Sequence, residues 1–104
     1  MAADQAIDIV QMREKASRAA ALLKAMSNEN RLLILCHLGM QEMSVSELND
    51  VIDLSQSSLS QHLARLRKDA LVTTRRESQT IYYRIADDIV IKLIGLLHGE
   101  FCGR

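Results

Sequence analysis

The spacing of apolar residues changes character along this 104-residue chain, and that pattern fixes most of what the chain can fold into. From Ile9 to Ala70 apolar positions recur every three or four residues, between Leu71 and Ile85 every two, and from Ile89 to Phe101 every three or four again. The wider step lines up side chains on one stripe of an α-helix, and the step of two lines them up on one face of a strand. A helical body interrupted by one β-hairpin is therefore expected. Proline is absent and glycine occurs only four times, so little in the sequence breaks helices. Hydrophobic residues make up 48% and charged residues 25%, which suits a packed core, and residues 1–104 suffice for a single domain.

Element by element, a first amphipathic helix is expected over about 5–26, carrying Ile9, Met12, Ala16, Ala19, Ala20, Leu23 and Met26. Asn28 stands where an N-cap belongs, ahead of a core helix containing Leu32, Leu33, Ile34, Leu35, Cys36 and Leu38, which Gly39 and the polar stretch to Glu42 stop. Ser44, three residues before Glu47, is a capping-box signature for a short third helix with Leu48, Val51, Ile52 and Leu54. Ser55 caps a fourth helix over about 56–69, whose Leu59, Leu63, Leu66 and Ala70 share a stripe. A two-stranded wing spans about 71–85 and turns near Glu77-Ser78-Gln79. Asp87 or Asp88 then caps a last helix, about 87–102, with Ile89, Leu93, Leu96, Leu97 and Phe101 on its apolar side. The first and last helices offer more apolar surface than one small core can cover, so both are expected to pair with a second copy in a homodimer. No run is long enough to span a membrane and residues 1–20 lack the order of a signal peptide, so a cytoplasmic protein is expected.

The 13 basic and 13 acidic residues balance overall but not locally. Residues 56–84 carry six basic and two acidic groups, which makes the fourth helix and the wing the electropositive part. A short helix, a tight connection at Leu54-Ser55 and a helix with a polar outer face form a helix-turn-helix arrangement, whose second helix enters the DNA major groove. With Leu59 set inward, Ser57, Gln61, Ala64 and Lys68 point nearly opposite. Gln56, Ser57, Ser60 and Gln61, with Ser58 beside them, are the candidates for base edges in the first two turns. Arg65 and Lys68 lie further along, at the height of phosphates, and Arg75, Arg76 and Arg84 on the wing reach for flanking backbone or the minor groove. The expected partner is double-stranded promoter DNA with a palindromic operator.

The stretches Leu23-Lys24-Ala25-Met26-Ser27-Asn28-Glu29-Asn30-Arg31-Leu32 and Leu54-Ser55-Gln56-Ser57-Ser58-Leu59-Ser60-Gln61-His62-Leu63 resemble the hallmarks of the ArsR/SmtB-type winged-helix regulators, and the resemblance runs from about Ala16 to Cys102. Within that family, Cys36 in Leu-Ile-Leu-Cys-His-Leu and Cys102 near the C-terminus resemble the two-cysteine branch of HlyU, BigR and SqrR. The resemblance implies a dimeric repressor that senses persulfides or related thiol oxidants through Cys36 and Cys102. One departure is Ala70, where the family usually has glycine after the recognition helix.

Without the resemblance, Cys36 among leucines reads as a small core hydrophobe and Cys102 as a partly exposed thiol at a helix end. A DNA binder with inert cysteines, answering to a metal or another signal, is the alternative. For metal, the ligands are missing. The third helix reads Ser46-Glu47-Leu48-Asn49-Asp50-Val51 without a Cys-x-Cys pair, and the last offers Asp87, Asp88, His98 and Glu100 without a second histidine for the nitrogen-rich set zinc favours. No Gly-rich phosphate loop, nucleophile motif or Cys-x-x-Cys points to an enzyme or to a bound cofactor.

Overall fold

The computed structural model describes residues 8–102. Five helices and three strands follow in the order α1 (Ile9–Met26), α2 (Glu29–Leu38), β1 (Met43–Ser44), α3 (Val45–Val51), α4 (Gln56–Lys68), β2 (Val72–Glu77), β3 (Thr80–Ile85) and α5 (Asp88–Phe101). Each helix starts where a side chain takes up an orphan backbone N–H. Asp8 accepts from the Gln11 amide, Asn28 from those of Asn30 and Arg31, Ser55 from that of Ser58 and Asp87 from that of Ile89. At α3 the capping box is complete. Ser44 Oγ accepts from Glu47 N at 3.1 Å, and Glu47 Oε1 accepts from Ser44 N at 2.9 Å. The part of the expected first helix that precedes residue 8 lies outside the described residues.

A third strand joins the wing, where the sequence suggested two. Met43–Ser44 pairs antiparallel with β3, Met43 opposite Tyr83 and Ser44 opposite Tyr82, which gives the sheet order β1-β3-β2. Two residues are too few to show a period of their own, so only the partner strand makes them β. The hairpin itself matches the expected span. Val72 faces Ile85 at its base, Glu77 faces Thr80 at its tip, and Ser78 turns the chain with φ 58°.

Ile34, Leu35, Leu48, Leu59, Leu63, Leu66 and Val90 are completely buried, so the core lies where α2, α3, α4 and α5 meet the sheet base. Beyond that core α1 stands apart, with every residue from Ile9 to Ala21 exposed. The radius of gyration is 16.0 Å, whereas about 13 Å is usual for a compact chain of this length. On α5 the inward residues Val90 and Ile94 are buried, while Leu96 and Phe101 are 67% and 80% exposed.

Ala70 departs from the sequence reading. It lies outside α4, exposed, with φ 63°, and takes no part in the apolar stripe. The Leu71 amide donates to Leu66 O at 2.9 Å and the Ala70 amide to Arg67 O at 3.0 Å, the two bonds of a Schellman stop, with Leu66 and Leu71 both buried. That geometry puts a Cβ in the left-handed region, which costs roughly 1–2 kcal/mol. Ala70→Gly relieves the cost and returns part of it as unfolded-chain entropy, so it should stabilise the fold by about 0.5–1 kcal/mol. A rise in melting temperature of about 4 °C in calorimetry checks this.

Candidate DNA interface and thiol pair

The turn between α3 and α4 is tight because its backbone is held from within. Asn49 Nδ2 donates to Leu54 O at 2.8 Å and the Leu54 amide to Ile52 O at 2.9 Å, while Ile52 inserts into the core. Leu59, Leu63 and Leu66 then clamp α4 by one face. Gln56, Ser57, Ser60, Gln61, Arg65 and Lys68 stand together on the exposed face. Ser58 and His62 are half-buried at its edge. The helix is about 20 Å long at 1.5 Å per residue, enough to lie across a major groove. Arg65 pairs with Asp69 at 2.9 Å across one turn, an exposed contact that leaves the guanidinium accessible.

On the wing the cations are not equivalent. Arg75 Nε donates to Glu42 Oε1 at 2.7 Å, its Nη1 donates to Glu77 Oε2 at 3.3 Å, and its guanidinium lies 4.6 Å from the Tyr82 ring centroid. The hydrogen bond from Arg75 holds the Glu42 carboxyl below the usual carboxylate range. Arg75 thus fastens β2 to the segment leading into β1, and its charge is already balanced. Arg76 and Arg84 form no ion pair among the described residues. Each phosphate contact adds about 0.9 to the slope of log K against log salt. Arg76→Ala is therefore expected to lower that slope by about 1, and Arg75→Ala to leave it nearly unchanged. Titrations of labelled operator DNA at several salt concentrations check both.

The two cysteines are free thiols on helices that pack together. Cys36 is half-buried on α2 and Cys102 is exposed at the C-cap of α5. The end of α2 fits closely against α5: a Cβ on Gly39 would come within 3.4 Å of Ile94 Cγ2. Burial pushes the Cys36 thiol above the ordinary range, and the negative charge of a Cys102 thiolate pushes it further. Native protein consequently keeps the Cys36 proton at pH values where the unfolded chain has lost it. This contribution to stability is complete below about pH 8.5 and declines as pH rises toward the folded value. Cys102→Ser should lower the midpoint of Cys36 alkylation by iodoacetamide yet leave it above that of the unfolded chain, because burial remains. An unmoved midpoint would mean that the thiols do not sense each other. Among the described residues no three His, Cys, Asp or Glu side chains gather as a metal site, and no helix is long and apolar enough to cross a membrane.

A short helix, an internally bonded turn, a helix with a polar and basic outer face and an adjoining wing define a winged helix-turn-helix DNA-binding regulator. Residues 28–74 match the model of the bacterial regulatory proteins of the arsR family. The transcriptional activator HlyU of Vibrio cholerae is 49% identical over 92% of this chain and 89% of its own. The chain belongs to the arsR family. The structure of reduced HlyU from Vibrio cholerae overlays with a TM-score of 0.85 at 51% identity, over 88% of this chain and 97% of that one. The transcriptional repressor BigR from Xylella fastidiosa overlays at 0.81 with 36% identity, over 94% of this chain and 100% of that one. These relatives are transcription regulators, and so is this chain.

Proposed function

We propose that the protein is a homodimeric repressor whose affinity for a palindromic promoter operator falls when persulfides or related thiol oxidants bridge Cys36 and Cys102. The observation that carries this reading is that two free thiols 66 positions apart in sequence stand on α2 and α5, helices that meet closely where Gly39 faces Ile94. Gln56, Ser57, Ser58, Ser60 and Gln61 face base edges in this reading. Arg65, Lys68 and Arg76 meet phosphates, and Arg75 positions the wing.

The chemistry balances without a metal or cofactor. One thiolate attacks the terminal sulfur of R–S–SH, forming Cys–S–SH and releasing RS⁻. The second thiolate attacks the inner sulfur, forming the Cys–S–S–Cys bridge and releasing HS⁻. Two thiols are oxidised by two electrons and the sulfane sulfur leaves as sulfide. If both cysteines first acquire a sulfur, their reaction with each other leaves a trisulfide and sulfide.

The bridge acts on DNA through the helix that carries Cys102. The exposed apolar faces of α5 and α1 are the surfaces a second copy would cover, and a relative described as a homodimeric winged helix-turn-helix domain from Mycobacterium bovis supports pairing of this kind. Tying α5 to α2 shifts one protomer against the other, and recognition helices that must sit about 34 Å apart lose register with successive grooves. Mass spectrometry of persulfide-treated protein, run beside an operator gel shift, tests the proposal. A Cys36–Cys102 bridge that appears together with DNA release is expected. Release without a bridge, or a bridge without release, overturns it.

A further inference from the structure

Cys36 is half-buried and lines a shallow, open groove of about 530 Å³ together with Ser27, Asn28, Glu29, Leu32 and Leu33. That volume falls within the range of small-molecule sites. Two leucines form its apolar wall, and Leu33 is 42% exposed, so a hydrocarbon group placed there removes apolar surface from water on both partners. The polar rim is poorly suited to hold an ionic ligand. The Asn28 side-chain oxygen is taken up by the amides of Asn30 and Arg31 at 3.0 and 3.1 Å. Among the described residues the only formal charge in the lining is the exposed Glu29 carboxylate, which repels anions at the mouth. Cys102, exposed at the end of α5, meets reagents from solvent, so discrimination among them falls to the half-buried thiol beside the two leucines.

We infer that this groove is a selectivity site for the organic group of the persulfide, favouring an uncharged hydrocarbon-bearing R–S–SH over an anionic hydrophilic one at Cys36. The inference rests on the persulfide reading above and narrows its inducer class. The bound species places its R group along Leu32 and Leu33 and its terminal sulfur at Cys36 Sγ. The Cys36 thiolate takes that sulfur, the S–S bond breaks, and RS⁻ departs with the bonding electrons.

The test uses the full-length Cys102→Ser protein, in which sulfur transferred to Cys36 cannot pass into an intramolecular bridge. Benzyl persulfide and glutathione persulfide are compared at one pH, with mass spectrometry following the gain of one sulfur on Cys36. The same pair is run in urea to remove their intrinsic difference in reactivity. Folded protein should favour the benzyl reagent by about ten-fold more than unfolded protein does, the scale on which apolar pockets discriminate. Leu33→Gln, at a partly exposed position, should return the ratio toward its value in urea. Glu29→Gln should accelerate the glutathione reagent alone. Equal ratios in folded and unfolded protein, or a ratio indifferent to Leu33→Gln, would overturn the inference. The two proposals fail separately. Operator release from wild type with equal rates for both reagents removes the groove and keeps the switch, whereas discrimination at Cys36 without release from wild type removes the switch and keeps the groove.

Discussion

Persulfide treatment is expected to weaken operator binding by wild-type protein by at least about 100-fold, and both Cys36→Ser and Cys102→Ser should abolish that response. Neither substitution touches α4 or the wing, so untreated operator affinity should stay within about two-fold of wild type. Cys102 is exposed at a helix end, and serine there costs little. Cys36 packs partly against the core, so Cys36→Ala is the companion variant that introduces no new hydroxyl among leucines. The composition of the bridge reports distance. A disulfide requires Cα atoms about 4.4–6.8 Å apart, and each further sulfur adds a bond of about 2 Å. Retained induction in both serine variants would sink the redox assignment.

The second large effect concerns the exposed apolar faces. Leu96→Glu and Phe101→Glu place charges on side chains that are 67% and 80% exposed in the protomer, so neither should damage the protomer core. In a symmetric pair each new carboxylate meets an apolar surface or its own copy, and desolvation with like-charge repulsion opposes association. Light scattering should then report monomers at concentrations where wild type is dimeric. Operator affinity should fall by about 10²–10⁴, because two half-sites are no longer engaged by one linked pair of readers. A variant that stays dimeric and binds normally would place the interface elsewhere.

These two predictions differ in how far they were legible beforehand. The apolar excess on the first and last helices is a matter of periodicity, visible residue by residue, and the described part of both helices exposes it. The same holds for Asn28, Ser44 with Glu47, Ser55 and Asp87, whose caps are bonds to amides two or three residues away. The outward face of α4 followed from helix geometry once Leu59 was set inward. Arg75 was different. Its sequence neighbours suggest a phosphate contact, but Glu42, 33 positions earlier, occupies its guanidinium because β1 and β3 pair and bring the two together.

What the sequence determined by itself is therefore everything governed by bonds a few residues long: where helices begin, which face each buries and where the wing starts. Only the tertiary structure decided the third strand, the left-handed turn at Ala70, the neutralised Arg75, and a Cys36 half-buried while Cys102 stays exposed. All but the turn arise from contacts between segments distant along the chain, and their free energy depends on how the packed helices and sheet position them, which no local pattern of residues encodes.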